Sequence, residues 1–496
     1  MPDDDVRAGP EPATAPEAAP SPERRRAALL SLAGEHEREG RLDEAEAVLN
    51  RIREEVPDHP AAIHQLGIVA FRRGESLNAA ALMERSVALD PSSALFYRNL
   101  CEAYRTLDRY DDALAAGQRA VALDPRDPLC RHNLSVLHYD RLELDEAVAS
   151  AEAALTIEPN FPGAHFGIAE ASLLRGDFPR GWDEYEWRFR LAGVPALMPP
   201  TDKPQWDGKP LPKGGALLLV ADQGYGDVIQ FSRYIPWAAA RVPDFAVACS
   251  GELRPVIGQF TGGSRMFDHW DSCPEFAAYC ALSGLPRLAG TNAESIPQAT
   301  PYLRADETRL AAWSERLRSL SPEGYRRIGI VWAGRPTHRN DRRRSLDLAQ
   351  LAPLSVLPGV SLFSLQKGAP QGQIGRYWGR APLLNLGPEI RDYGDTMAII
   401  ECLERVIAVD TSVGHLAGAL GKPVSIMLPY APDWRWGLGS ETTPWYPSAR
   451  LFRQDLRRDW STVIARVADS LRNGPSSAGD AGGSLVNAGT ISGFSA

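Results

Sequence analysis

Four prolines at a fixed interval constrain this chain more than any other feature. Pro57, Pro91, Pro125 and Pro159 are each 34 residues apart. The same interval separates Ala45, Ala79, Ala113 and Ala147, and also Leu32, Leu66, Leu100 and Leu134. A period of this length is one helix hairpin. The small residue lets its two helices approach closely, and the proline, lacking an N–H and clashing with the preceding turn, ends the second helix. A single hairpin cannot bury its own apolar face, so neighbours must stack into a solenoid.

Units of 34 residues with small residues at these offsets are identified as tetratricopeptide repeats. A fifth unit, Gly163 to Leu191, keeps Ile168, Ala169 and Gly176 in register but has Gly181 where alanine is expected. Its aromatic load (Trp182, Tyr185, Trp187 and Phe189) predicts that it docks on whatever follows. The repeats are assigned to 26–193. The Ala/Pro/Glu-rich stretch before them, 1–25, is expected to be disordered, because it cannot bury enough apolar area to offset the entropy of ordering.

A proline- and glycine-rich linker, 194–213, ends the helical pattern. Short apolar runs then alternate with helical stretches: Ala216–Val220, Ala246–Ala248, Ile328–Trp332, Ser361–Leu365, Val406–Val409 and Val424–Met427. Strands alternating with helices predict parallel sheets. The fold class expected is α + α/β, a repeat solenoid followed by two Rossmann-like lobes at 214–310 and 325–472. The helical stretch Glu307 to Leu320 separates the lobes, and a Gly/Ser/Ala-rich tail, 473–496, is expected to be disordered.

Bulk properties narrow the functional classes. A net charge of -9 argues against a broad nucleic-acid surface. The six cysteines are scattered without a Cys-x-x-Cys pair and read as reduced thiols. No apolar run reaches the ~20 residues of a membrane-spanning helix, and the first 22 residues lack the pattern of a secretory signal. A cytoplasmic protein without a transmembrane segment is the expectation.

Ligands of open parallel sheets sit at the carboxyl ends of strands, which directs attention to four segments. After Leu217–Val220 comes Ala221-Asp222-Gln223-Gly224-Tyr225-Gly226-Asp227. Asp227 there is either the N-cap of a helix from Val228 to Arg241 or a general base facing the cleft. After Gly329–Trp332, the run Ala333 to Ser345 holds five arginines, including Arg343 and Arg344; it is either a solvated face or a diphosphate site built from guanidinium forks. After Ser361–Leu365 comes Gln366-Lys367-Gly368, either an ordinary turn or a further cation, Lys367, at a strand end. The strongest signal is Asp410-Thr411-Ser412-Val413-Gly414-His415, where a buried strand runs straight into a small-residue helix whose free N–H groups attract phosphate. Gly414, Gly418 and Gly421 keep that helix slim. The aromatic loop Tyr430 to Trp436, with Trp445 and Tyr446, either stacks on a nucleotide base or, the favoured alternative, packs in the core or an interface. No Walker-type, Gly-x-Ser-x-Gly or His-Glu-x-x-His motif occurs, and no metal-ligating cluster is expected.

At these residues the chain resembles bacterial proteins that join tetratricopeptide repeats to a transferase domain related to the lipopolysaccharide heptosyltransferases. The segments that carry the likeness are 181–188, 222–234, 331–345, 364–368 and 410–424, in the family's order. The resemblance implies a GT-B architecture and metal-independent, inverting transfer, with a nucleotide-diphosphate sugar as substrate and no cofactor. It implies that Asp227 is the base and that Gly226, Asp410, Thr411, Ser412, Gly414 and His415 contact the donor. Arg343 or Arg344 takes the place of the family's basic residue, where the heptosyltransferase pattern has lysine.

The function expected is a glycosyltransferase acting on a protein or glycan acceptor, with the repeats binding a protein partner or the acceptor. The alternative is a catalytically inactive repeat adaptor. A Rossmann dehydrogenase is disfavoured, because Asp222 to Asp227 lacks the spacing of Gly-x-Gly-x-x-Gly.

Overall fold

The computed structural model describes residues 21–191, 198–262, 265–338 and 340–472. The expectations of disorder at 1–20 and 473–496 fall outside those residues. The chain forms two compact units, one up to Ala164 and one from His165 onward.

The first unit consists of four helix hairpins. They are α1 (Pro22–Arg38) with α2 (Leu42–Glu55), α3 (Pro60–Arg72) with α4 (Ser76–Leu89), α5 (Ala94–Thr106) with α6 (Tyr110–Leu123), and α7 (Pro128–Asp140) with α8 (Leu144–Leu155). The periodic alanines Ala45, Ala79, Ala113 and Ala147 are buried where the paired helices touch. Further prolines open helices: Pro22, Pro60 and Pro128 stand in the first turns, where a missing N–H costs nothing. Helix α1 therefore starts inside the stretch assigned to disorder, because Ser21 caps it by accepting a hydrogen bond from the Arg24 N–H. Each hairpin turn has one residue in the left-handed region, also at the 34-residue interval: Gly40, Gly74, Asp108 and Leu142, with φ of 79°, 81°, 58° and 61°.

The second unit opens with the fifth hairpin, formed by α9 (Pro162–Arg175), which straddles the division between the units, and α10 (Phe178–Tyr185). Its first sheet has β1 (Leu217–Val220), β2 (Phe245–Ala248), β3 (Met266–Phe267) and β4 (Ala278–Ala281), all parallel, in the order β3-β2-β1-β4. Helices α11 (Tyr225–Phe231), α12 (Ile235–Ala239), α13 (Arg254–Thr261) and α14 (Leu285–Leu288) accompany it, and α15 (Glu307–Leu320) leads away. The second sheet has β5 (Arg326–Val331), β6 (Val360–Ser364), β7 (Leu383–Asn385), β8 (Arg405–Val409), β9 (Val424–Leu428) and β10 (Ala449–Arg453). It is also all parallel, in the order β10-β9-β8-β5-β6-β7. Helices α16 (Asp341–Arg344), α17 (Tyr393–Glu401), α18 (Ser412–Ala419) and α19 (Trp460–Arg472) belong to it.

Counted within each sheet, the strand orders are 3-2-1-4 and 3-2-1-4-5-6, which are Rossmann-like. In both sheets the strand order reverses between the first and fourth strands, which places the switch point at their carboxyl ends. In the first sheet those ends lead into Ala221–Asp227 and Leu282–Ser283; in the second, into Trp332–Ser345 and Asp410–His415.

Two local expectations are corrected. The helix expected from Val228 to Arg241, capped by Asp227, is instead α11, capped by Gly224 and ending at Phe231. A 3-10 turn at Ser232–Tyr234 then leads into α12, where Pro236 cannot supply an N–H to an unbroken helix. Asp227 thus stands in the first helical turn and not at the cap. The described part of the linker is also not a free connector. Gln205 bridges Tyr279 in parallel, the Trp206 N–H donates to the Tyr279 carbonyl at 2.8 Å, and the Trp206 ring is buried.

Candidate functional site

The two strand-end segments meet. Gly226 of α11 lies so close to α18 that a Cβ there would stand 2.8 Å from His415 Cδ2 and 3.6 Å from Ser412 Cα. A glycine at 226 is therefore what lets the first turns of the two helices touch. A second tie is Tyr225, whose ring meets Tyr393 edge-on at 5.5 Å; the Tyr393 hydroxyl donates to Ser412 Oγ at 2.7 Å.

Arg435 is the charge at the centre. It lies in the short 3-10 turn Trp434–Trp436 after β9, its side chain only 7% exposed. One terminal nitrogen donates to Asp227 Oδ1 at 2.5 Å and the other lies 2.8 Å from Asp433 Oδ1. Asp433 also caps the turn by accepting from the Arg435 backbone N–H. Burial pushes the Asp433 carboxyl upward, and the neighbouring Asp410 and Asp227 add to this against the opposing pull of Arg435. Three carboxylates around one guanidinium cannot all be ionised without cost, and Asp433 is the member that the balance moves toward the neutral form.

Asp410 and His415 are both buried. Burial alone would raise the Asp410 carboxyl, but His415, Arg435 and Arg344 outweigh it and hold the group below its usual range. Burial lowers the His415 imidazole against the opposing pull of Asp410. Its Nδ1 pairs with the Tyr446 hydroxyl at 2.9 Å. Its Nε2 lies 3.7 Å from Asp410 Oδ1, which is an electrostatic contact and too long for a hydrogen bond.

The amino end of α18 is narrower than the sequence suggests. The N–H groups of Gly414 and His415 both return to the Thr411 carbonyl. Those of Ser412 and Val413 have no acceptor among the described residues. Thr411 makes no side-chain cap and donates to the Val409 carbonyl. A Cβ at Gly414 would make only ordinary contacts, the nearest at 3.7 Å, whereas one at Gly418 would overlap the Tyr446 ring. Gly418 is the close approach.

The arginine segment divides. Arg344 reaches the site: its Nη1 donates to the Asp410 carbonyl at 3.0 Å, while its Nε lies 3.4 Å from Asp341. Arg343 lies beside it in α16, half-buried, and Arg335 stands 5.9 Å over the Tyr225 ring. Lys367 turns away from the cluster, its amine donating to the Ile390 carbonyl at 2.5 Å. Its neighbour Gln366 ties the strand ends together. The Gln366 side-chain carbonyl accepts from the Trp332 and Ala333 N–H groups, and its amide nitrogen donates to the Ala333 carbonyl.

Helix α10 and the 3-10 turn after it, Glu186–Arg190, pack against the strand ends that lead to Asp227. The Tyr185 hydroxyl pairs with the Gln223 amide, Arg188 donates to Ser283 Oγ at 2.6 Å, and Ser283 donates to Asp222 at 2.5 Å. Trp182 donates to the Thr291 carbonyl and meets Trp434 edge-on at 5.2 Å. Of the four aromatics expected to dock, Trp182 and Tyr185 meet the following residues, whereas Trp187 stacks on His165 of the same hairpin.

Sequence reasoning missed Arg435. It sits in a loop noted only for its aromatics, and no local spacing announces that its guanidinium lies against a carboxylate 208 positions away.

Residues 26–69 and 64–128 match tetratricopeptide-repeat family models. The chain thus joins N-terminal tetratricopeptide repeats to two parallel, Rossmann-like α/β sheets. It is distantly similar to protein FlbA of Caulobacter vibrioides, at 28% identity over 340 residues covering 62% of this chain and 54% of FlbA. The chain spans about half the length of that relative. Similar solved structures include that of MamA, with a TM-score of 0.29 and 23% identity over 32% of this chain and 92% of MamA. Another is TTC0263, a thermophilic repeat protein of Thermus thermophilus, with a TM-score of 0.31 and 25% identity over 34% of this chain and 91% of that one. Among the described residues no helix is long and apolar enough to cross a membrane.

Proposed function

We propose that the second unit is a GT-B-type glycosyltransferase, moving a sugar from a nucleoside-diphosphate sugar to a protein or glycan acceptor with inversion and without a metal. The repeats engage a protein partner or the acceptor. The observation that supports this most is the meeting of a carboxylate, Asp227, with the amino end of α18 at the switch points of two parallel sheets.

In this reading Asp227 takes the proton from the acceptor hydroxyl as its oxygen attacks the anomeric carbon. The bond from that carbon to the diphosphate breaks on the opposite face, and the diphosphate leaves with the electron pair. The N–H groups of Ser412 and Val413, the helix end behind them and Arg344 are fixed donors that meet the growing charge, which is usually the larger part of such catalysis. Thr411 and Ser412 line the same end. Asp410, Gly414 and His415 are packed beneath it and set its position.

A second reading, a repeat adaptor without catalysis, is favoured by one observation. Asp227 is engaged by Arg435, and the helix ends are already in van der Waals contact. Turnover separates the two. With a panel of sugar nucleotides, the wild-type chain is expected to consume one donor and Asp227→Ala to lose at least ~100-fold of that rate, the scale of a general base. Absence of consumption by the wild type would favour the adaptor.

A further inference from the structure

Arg435 has more work to do than hold a salt bridge. Its Nε, and the indole Nε1 of the adjacent Trp436, are buried donors without an acceptor among the described residues. An orphaned buried donor is costly, and the one on Arg435 belongs to the side chain at the centre of the charge cluster. Arg435 acts electrostatically on Asp410 and His415 as well as on Asp227, and Arg344 approaches Asp410 too. Two guanidinium groups therefore converge on the region where α18 begins.

We propose that Arg435 is a latch. In the free chain it neutralises Asp227, and when a donor binds it turns onto the diphosphate, releasing the Asp227 carboxylate to serve as base. The inference rests on the sugar-nucleotide reading and deepens it. A diphosphate carries more charge than a carboxylate and offers paired oxygens that suit the planar fork of arginine. Asp433 is the pivot: it holds one terminal nitrogen at 2.8 Å and the backbone N–H of the same residue, so the guanidinium can rotate without leaving its loop. The consequence is order. The base becomes competent only with the donor in place.

The test is calorimetric titration of the full chain with UDP, GDP, ADP and dTDP, followed with whichever binds. If Arg435 must leave Asp227 to reach the diphosphate, Asp227→Asn removes the competitor and binding tightens by about 5-fold or more. Arg435→Gln weakens it at least 10-fold, and the double variant matches Arg435→Gln alone. Tightening by Asp227→Asn that persists undiminished in the Arg435→Gln background is lost charge repulsion alone and overturns the latch. Unchanged or weaker binding by Asp227→Asn, with the wild type binding normally, overturns the latch and leaves the transferase reading standing. Failure of the wild type to bind any of the four overturns both. Should Arg435→Gln not fold, Arg435→Lys takes its place in both the single and the double variant.

Discussion

Gly418 and Gly414 stand one helical turn apart in α18, and their surroundings differ sharply. A methyl group at 418 would collide with the fully buried Tyr446 ring, which has nowhere to move. A methyl group at 414 meets Ala408 and Ile426 at ordinary distance. We therefore expect Gly418→Ala to destabilise the second unit by about 1–3 kcal/mol through overpacking. Gly414→Ala is expected to be neutral or stabilising by up to ~1 kcal/mol, because alanine is the better helix former. Urea unfolding followed by tryptophan fluorescence reads this directly, since all twelve tryptophans lie beyond Ala164. The sequence marks the glycines as a group; which one is indispensable depends on a tyrosine 28 positions away, and periodicity carries no such information. The same limit explains Arg343 and Arg344. Their neighbourhood is legible, but only the path of α16 decides which guanidinium reaches Asp410.

At the scale of elements, Arg309 of α15 pairs with two carboxylates of α17, those of its N-cap Asp392 and of Asp395 in its first turn. The side chain of Asp395 is fully buried and accepts from Arg309 at 3.1 Å, Trp313 at 3.3 Å and Arg391 at 2.8 Å. Burial alone would raise its pKa, but Arg391, Trp313 and Arg309 together bring it down from 3.8 to about 2. A folded-state value below the unfolded one stabilises the fold above about pH 4, and this contribution fades as pH falls toward 2. Asp395→Asn should therefore cost about 2 kcal/mol at pH 7, with the gap to wild type closing as the pH approaches 2. A series of unfolding curves between pH 7 and pH 2 checks it. The sequence marks α15 as a helix between lobes, and the six strands read from apolar runs are all present. The strands it leaves out are β3, β4, β7 and β10. The first three have only two to four residues, and alanine-rich Ala278–Ala281 lacks the β-branched signal, so their pairing is set by the neighbouring strand. In β10, Arg450 faces solvent between buried neighbours and breaks the apolar run.

For the whole molecule, the period in the sequence and the units of the fold end at different places. The 34-residue repeat carries on through α9 and α10, yet the compact division comes at Ala164. The fifth hairpin keeps the repeat's spacing but gives its surface to the α/β sheets: Trp182, Tyr185 and Arg188 are buried against them. Gly181 replaces alanine because a Cβ there would stand 2.6 Å from Leu173. A helix that keeps the repeat's spacing thereby braces the turn that leads to Asp227. The aromatic content announces such docking, while its target becomes visible only in three dimensions. The proposed transfer depends on a diphosphate held where α18 begins, opposite Asp227. The most direct measurement is a crystal structure of the full chain soaked with the nucleoside diphosphate that binds best. Phosphate oxygens within hydrogen-bond distance of the Ser412 and Val413 N–H groups and of Arg344 are the predicted result. A nucleotide seated elsewhere, or an unoccupied α18 end at saturating ligand, would contradict it.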